Sequence, residues 1–155
     1  MRMWLFMMAA LLFGASMEAE ELVTVAALQA DPSRFNLKVV TLTGTAQVVR
    51  PLQDDDPAVQ KAVVPNASFQ LDTQCAYLHP AYRFVLADDT GFLPVLVRAR
   101  PPCVSKLMPR EPPEIADDDH VVVTAQITVV EKEVDGVRRP VPEALAVAIR
   151  KGPTP

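Results

Sequence analysis

Five arginines are the side chains of this sequence that are best suited to binding a ligand. Arg98 and Arg100 alternate with apolar residues, so both should project from one side of an extended strand. A guanidinium group binds carboxylate or phosphate bidentately, which suits an acidic oligosaccharide, an anionic lipid headgroup or an acidic peptide. The alternative is that they are solvated and paired with Glu131, Glu133 and Asp88. The predicted binding residues are Arg83, Arg98, Arg100, Arg138 and Arg139.

Cys75 and Cys103, the two cysteines of the chain, flank a strong hairpin signal. A turn at residues 88–91 predicts that residues whose numbers sum to about 179 oppose each other, which places Cys75 opposite Val104. Cysteines so placed can form a disulfide in an oxidising compartment, and closing a loop of about thirty residues stabilises by roughly 3–4 kcal/mol. The alternative is metal ligation with His79, but a zinc site takes four ligands. We predict the disulfide.

Two runs of aspartate and two histidines raise the question of a metal or cofactor. Residues 54–56 and 117–119 supply carboxylates of the kind that calcium binds. Neither run has the alternating spacing of an EF-hand loop, so we interpret both as solvated turns. Haem ligation by His79 or His120 is the other alternative, although a single histidine is more often a surface or capping residue. We predict neither a metal nor a cofactor.

The sequence contains little that favours catalysis. It has two histidines, and neither a Gly-x-Ser-x-Gly nor a His-Glu-x-x-His motif is present. An activated nucleophile needs a base positioned beside it, and the sequence reveals no such pair. We predict a binding protein without enzymatic activity.

The charge balance bears on the class of partner. Acidic residues outnumber basic ones by 19 to 15, giving a formal net charge of −4. Proteins that bind phosphate backbones concentrate lysine and arginine, so nucleic acid is disfavoured as a partner. Phe69, Tyr77 and Tyr82 could stack on bases, but aromatic residues are scarce here and are better used in the core.

The N-terminal residues resemble a secretory signal peptide over residues 1–19. Arg2 precedes the apolar run Trp4–Phe13 and small residues follow. That run is shorter than the roughly 20 residues of a spanning helix, so we predict cleavage rather than stable membrane insertion. The mature protein would be periplasmic or secreted, with one domain at residues 20–150 and a tail at residues 151–155.

Five segments have the patterns of β-strands. Residues 37–49 alternate with period 2, residues 82–97 form a hairpin, and residues 120–130 alternate again. Asp135-Gly136 is the strongest two-residue turn signal and precedes the fifth strand. The residues predicted to face inward are Val40, Leu42, Gly44, Ala46 and Val48 in the first strand, Phe84 in the second, Val95, Val97 and Ala99 in the third, Val121, Val123, Ala125, Ile127 and Val129 in the fourth, and Leu145, Val147 and Ile149 in the fifth.

Capping residues and a long irregular stretch lie between these strands. Thr24 is suited to cap a short helix at residues 25–28, and Asp31 with Pro32 is suited to start a second turn of helix. Residues 51–74 lack regular periodicity, and we predict a long loop insertion over residues 51–80, which in a small domain is usually functional or mobile.

Proline and glycine predict where strands end or bend. Residues 101–102, both proline, should end the third strand, and the prolines within residues 103–118 restrict any helix there to a turn or two. Gly44 predicts a bulge or a sharp bend, and Pro140 and Pro142 predict an edge or a bulge.

The order of these elements is that of the OB-fold, an all-β, five-stranded Greek-key barrel with a short N-terminal helix and, here, a proline-broken helical segment between strands three and four. Residues 24–28, 39–46, 82–91 and 121–127 are together similar to the corresponding parts of small exported bacterial OB-fold proteins. This resemblance covers about residues 22–150. It implies that ligands bind on strands two and three and their flanking loops, where the five arginines are predicted to lie.

The sequence thus predicts an exported, non-catalytic OB-fold module that binds an anionic small molecule or oligomer, or a protein of the cell envelope. Two alternatives stay open. One is a structural or assembly protein of the envelope that acts through protein–protein contacts. The other is a single-stranded nucleic-acid binding domain, which the fold permits and the charge opposes.

Overall fold

The computed structural model describes residues 22–53 and 75–152. The predicted signal peptide, residues 54–74 of the predicted loop and the last three residues of the tail lie outside these ranges. None of the helices in the described ranges is long and apolar enough to cross a membrane. The elements are helices α1 (Val25–Ala30) and α2 (Pro32–Phe35) and strands β1 (Val39–Pro51), β2 (Cys75–His79), β3 (Tyr82–Asp88), β4 (Gly91–Val97), β5 (Arg100–Ser105), β6 (His120–Val134) and β7 (Val137–Lys151).

The two helices begin at the predicted capping residues. The Thr24 hydroxyl accepts a hydrogen bond from the Ala27 N–H at 3.3 Å, and the Asp31 carboxylate accepts one from the Arg34 N–H at 3.3 Å. Both caps satisfy donors that the first turn of a helix leaves unpaired. The helices contribute apolar side chains to the core, namely Val25, Leu28, Pro32 and Phe35.

Five strands close into a barrel in the order β1-β3-β4-β7-β6. The pairing is antiparallel except between β4 and β7, which are parallel. When β2 and β5 are set aside, this is the OB-fold order in which strand three pairs with strand five and strand four returns to strand one. The predicted all-β OB-fold barrel is therefore confirmed.

The predicted register of the hairpin is confirmed. Tyr82 pairs with Val97 and Asp88 with Gly91, so opposing residue numbers sum to 179, as expected from the turn. This register places Phe84 and Val95 inside the barrel, where both are buried.

The predicted inward faces of β1 and β6 form the centre of the core. Alternate residues are buried from Val40 to Ala46 in β1 and from Val121 to Ile127 in β6, and the β1–β6 pairing is continuous from Val39 to Thr45. Fully buried positions in these strands are Leu42, Ala46, Val121, Val123, Ala125 and Ile127.

A bulge near the end of β1 makes one inward prediction wrong. The β1–β3 register shifts between Gln47 and Arg50, and Val48 has φ 54°. Val48 is 47% exposed, while Val49 packs against the core instead. One extra residue in a strand reverses the alternation beyond it.

A second bulge, in β7, does the same to the fifth strand. Adjacent residues of β6 pair with Ala148 and Ala146, so Val147 is the extra residue. It is 66% exposed, and Ala144 and Ala146 take the inward positions that were predicted for Leu145 and Val147. Beyond the bulge, Ile149 packs against the core as predicted.

Gly44 serves a different purpose from the predicted bend. The pairing of β1 with β6 runs through it without a shift. A Cβ atom at this position would collide with the carbonyl oxygen of Ala87 on β3. The glycine is therefore needed for the close approach of two backbones.

Residues predicted to form a loop and a helical segment instead contribute a second, two-stranded sheet of β2 and β5. Residues 75–79 of the predicted loop are a strand, and Pro101 and Pro102 lie within β5 rather than ending β4. No helix forms in residues 103–118, all of which the structure describes. Prolines are tolerated here because each strand of a two-stranded sheet has a free edge.

The β2–β5 sheet brings the two cysteine positions onto neighbouring strands. Cys75 pairs with Ser105 and Cys103 with Tyr77, so the cysteines are diagonal neighbours. The pairing differs by one residue from the predicted partner of Cys75, because the register shifts between Tyr77 and His79. The disulfide itself stays a prediction.

Candidate functional site

A cleft opens where β4 leaves the barrel. Strands β4 and β7 pair over three residue pairs, the last of which joins Val97 to Ala146. Beyond this point the chain crosses to β5, while β7 continues with β6. The gap between these diverging segments, residues 97–100 and 145–149, holds a cavity of about 510 Å³.

A second cavity of about 320 Å³ adjoins the first. It lies between the end of β2, the start of β3 and the proline-rich segment that follows β5, and its polar lining includes His79, Tyr82 and Glu111. Arg98, Arg100 and Glu114 line both cavities. We refer to the two cavities together as the arginine cleft.

The charged groups of the arginine cleft are mostly paired. The Arg100 guanidinium lies 3.0 Å from the Glu114 carboxylate, and His79 Nδ1 lies 3.1 Å from the Glu111 carboxylate. Arg98, by contrast, is exposed and makes no hydrogen bond or ion pair with a residue in the described ranges. One positive charge of the cleft is thus available to a ligand.

Tyr82 places a buried hydroxyl at the same site. The residue is 3% exposed, and its hydroxyl has no hydrogen-bond partner within the described part of the chain. Burial raises the pKa of Tyr82 above its usual value, the nearby Glu114 carboxylate raises it further, and Arg100 opposes them. The Glu114 carboxylate also approaches the Tyr82 hydroxyl closely enough for a hydrogen-bonding contribution to this raised pKa, but the two groups do not meet the geometry of a full hydrogen bond. Tyr82 therefore remains a neutral donor without a well-formed hydrogen bond.

Arg83 lies apart from the arginine cleft. It is exposed on the outer wall of the barrel, where it pairs across the strands with Arg50 of β1. Like charges directly opposite each other repel, so this position could hold a second anionic group, but it is not continuous with Arg98.

Arg138 and Arg139 occupy a third location, on the exposed hairpin of β6 and β7. Asp135 and Gly136 have φ values of 53° and 74°, as the predicted tight turn requires. Arg139 lines a cavity of about 240 Å³ beside Phe92, which is 62% exposed. The structure therefore brings Arg98 and Arg100 together and separates the other three predicted residues.

Asp88, which was considered as a partner for the arginines, is used within the fold. Its carboxylate accepts hydrogen bonds from the Val25 N–H at 2.8 Å, the Thr90 hydroxyl at 2.6 Å and the Gly91 N–H at 2.9 Å. Partial burial would raise the pKa of Asp88, but these hydrogen bonds outweigh it and lower the pKa. The carboxylate thus joins the β3–β4 turn to the start of α1.

The aspartates at residues 117–119 also have structural contacts. Asp117 accepts a hydrogen bond from the Val49 N–H at 2.7 Å, and Asp119 accepts one from the Ala116 N–H at 2.8 Å and pairs with Lys151 at 2.7 Å. The hydrogen bond from Lys151 is the main reason that the pKa of Asp119 is lowered. Within the described ranges, no group of three His, Cys, Asp or Glu side chains is arranged to hold a metal ion.

The sequence pattern predicted only part of the arginine cleft. The scarcity of aromatic residues favoured a core position for Tyr82, and Tyr82 is buried. No sequence signal indicated that its hydroxyl would lack a partner. Glu114 carried no signal either, since it reaches Arg100 only because the segment after β5 folds back over the end of the barrel.

No protein-family model matches this sequence, and no curated protein matches it. Among solved structures, the chain is similar to an aspartyl-tRNA synthetase from Leishmania major Friedlin (14% identity, TM-score 0.49, 92% of this chain and 23% of that one). It is also similar to an aspartyl-tRNA synthetase from Entamoeba histolytica (15% identity, TM-score 0.43, 78% of this chain and 20% of that one). A third similar structure is RecJ from Thermus thermophilus in complex with Mn²⁺ (16% identity, TM-score 0.41, 86% of this chain and 16% of that one). The chain spans less than a quarter of each of these proteins, and we take the fold from its own strand order.

Proposed function

We propose that this protein is an exported, non-catalytic OB-fold binding module whose ligand presents an anionic group to the arginine cleft. The observation that carries this proposal is the position of Arg98 and Arg100, which line both adjoining cavities at the open seam of the barrel. Arg98 is exposed and unpaired among the described residues. A guanidinium in that state is suited to a carboxylate or a phosphate.

Binding without catalysis is favoured by the lining of the cleft. No serine, cysteine or lysine lines either of its two cavities, all of whose lining residues are described. The histidine that does line it, His79, is already held by Glu111. A reaction that needs an activated nucleophile would require a different set of neighbours.

Replacement of the two arginines tests this proposal. Isothermal titration with citrate, inorganic phosphate and poly-L-glutamate should show binding to the native protein and its loss in the Arg98→Glu/Arg100→Glu double variant. The matched control is Arg138→Glu/Arg139→Glu, which makes the same change of charge on the distant hairpin and should leave binding unchanged. Equal binding by both variants would refute the assignment of the cleft.

Export is the second part of the proposal. It is supported by the apolar N-terminal run and by two cysteines whose positions lie on paired strands, since structural disulfides persist in oxidising compartments. The mature chain would then act in the periplasm or outside the cell.

A structural role in the envelope is the second candidate, and the edge of β7 favours it. Beyond Ala146 this strand pairs with β6 alone among the described strands, and Val147 is exposed there. An extended segment of a partner could add to such an edge. A photo-crosslinking residue at Val147 should then capture one dominant envelope protein, whereas a module that binds small anions should capture none.

Single-stranded nucleic acid is the remaining candidate. The acidic excess of the chain opposes it. Titration with an oligonucleotide at increasing salt decides the matter, because phosphate contacts would make the affinity fall steeply with salt concentration.

A further inference from the structure

We propose that the arginine cleft binds a carboxylate that is attached to an apolar chain, and that the Glu114 carboxylate occupies this carboxylate site when no ligand is bound. This inference rests on the proposed binding role of Arg98 and Arg100 and specifies the ligand.

The unpaired hydroxyl of Tyr82 is the first observation. A buried polar group without a hydrogen bond lowers stability, and native proteins seldom retain one without a reason. Within the described ranges, only Thr41 Oγ1 shares this state, and Thr41 does not line the arginine cleft. Tyr82 does line it, on the side of Arg98 and Arg100. A ligand atom that accepts a hydrogen bond from the Tyr82 hydroxyl would supply the missing partner.

The position of Glu114 indicates that the ligand atom accepting from Tyr82 belongs to a carboxylate. Its carboxylate lies 3.0 Å from the Arg100 guanidinium, and its charge raises the pKa of the neighbouring Tyr82. A carboxylate already lies next to both groups, but it binds the guanidinium and does not form a hydrogen bond of full geometry with the hydroxyl. A carboxylate from a ligand could accept from both groups and from Arg98. It would have to displace Glu114, whose side chain is 44% exposed.

The remainder of the ligand is suggested by the larger cavity. Beyond the arginines, the residues of β7 that line it are all apolar, among them Leu145, Val147 and Ile149. A volume of about 510 Å³ lies in the range of ordinary small-molecule sites. An aliphatic chain or the apolar side chains of a peptide C-terminus would cover this wall, whereas a compact anion such as phosphate would leave it exposed.

The test is an amide NMR titration of the mature full-length protein with five compounds. Hexanoate carries the carboxylate and the chain, hexanamide carries the chain alone, and inorganic phosphate carries charge alone. Acetylated trivaline, with a free or an amidated C-terminus, distinguishes a peptide source from a free fatty acid. We expect hexanoate to shift the amides of Arg98, Ala99 and Val147 and to bind more tightly than either hexanamide or phosphate.

Three variants separate recognition from a merely structural role. Tyr82→Phe removes only the hydroxyl, so its affinity for hexanoate should be at least about fivefold lower than that of the native protein. The midpoint of its thermal unfolding should stay the same or rise. Glu114→Gln removes the internal competitor and should strengthen hexanoate binding by roughly threefold, an effect of the size of one modest ionic contact. Glu131→Gln, which removes an exposed carboxylate of β6 outside the cleft, is the matched control and should leave affinity unchanged.

Each outcome decides one point. If hexanamide binds as tightly as hexanoate, or if neither Tyr82→Phe nor Glu114→Gln changes hexanoate affinity, the inference is wrong. In that case the proposed function survives only if Arg98→Glu/Arg100→Glu still abolishes the binding of phosphate and citrate. If the native protein binds none of the anionic probes, the inference and the proposed function both fail.

Discussion

Replacement of Asp88 by asparagine should break a single long-range contact and leave the local turn intact. One carboxylate oxygen of Asp88 accepts from the Thr90 hydroxyl and from the N–H groups of Thr90 and Gly91. Among the described residues, the other accepts only from the Val25 N–H, 63 residues away. An asparagine can keep its carbonyl oxygen on the turn, but its amide nitrogen would then face the Val25 N–H, and both groups are donors.

The magnitude follows from the number and kind of bonds that are lost. A hydrogen bond to a charged acceptor contributes about 1.5–3 kcal/mol, so Asp88→Asn should lower the free energy of unfolding by about 2 kcal/mol at neutral pH. The loss falls on the first turn of α1, whose Val25 and Leu28 are fully buried. The destabilisation should therefore affect the whole barrel and appear as a single transition.

The pH dependence of this difference checks the cause. The pKa of Asp88 is lowered in the folded state, so its contribution is complete above the unfolded value of about 3.9 and is lost as the pH falls through the folded pKa. Urea denaturation of the native protein and of Asp88→Asn should therefore give curves that converge on acidification. Asp89→Asn, an exposed neighbour in the same turn, is the control and should change little. A difference between Asp88→Asn and the native protein that stays constant down to the lowest pH would refute this account of the carboxylate.

Two further predictions concern the barrel and its maturation. Gly44→Ala should lower the free energy of unfolding by about 2–3 kcal/mol, because the added Cβ meets the Ala87 carbonyl. Gly136→Ala should lower the free energy of unfolding by only about 1 kcal/mol, because φ is 74° there but the space around it is open. Denaturant titration measures both variants, and a larger loss in Gly136→Ala than in Gly44→Ala would contradict the close approach of β1 and β3. Native protein should have the mass of a chain that lacks the signal peptide and two hydrogens, and Cys103→Ser should lower the free energy of unfolding by roughly 3–4 kcal/mol. Two free thiols on processed native protein would exclude the disulfide.

The parts of the fold that follow from local patterns were predictable. Alternation placed Leu42, Val123 and Ile127 inside the barrel, and the turn at residues 88–91 fixed the register of its hairpin. The misassigned residues lie at bulges, since a period-2 pattern does not reveal where an extra residue has been inserted. The apolar Val147 therefore appeared to face inward although it is exposed.

The candidate site was less predictable because it is assembled from segments that are distant in sequence. The alternation of Arg98 and Arg100 indicated that they share a face, and they do share a cleft. The five arginines are not gathered together, because Arg83 and Arg139 lie on strands whose outer faces point elsewhere. Pro101 and Pro102 favoured the end of a strand at this point. The sequence therefore did not predict β5, the strand that begins with Arg100.

The departure of β4 from the barrel explains why the cleft lies where it does. A barrel closed by only three parallel residue pairs leaves a seam beyond Val97, and the chain that would have extended β4 pairs with β2 instead. Arg98 lies in the connection between the two sheets and Arg100 at the start of the second. The Glu111 N–H donates to the Leu78 carbonyl at 2.8 Å, so one end of the proline-rich wall is attached to that second sheet, while Ile115 at its other end packs into the barrel core. The geometry of the cleft therefore depends on how the β2–β5 sheet is held, and a covalent bond between positions 75 and 103 would hold it from within that sheet.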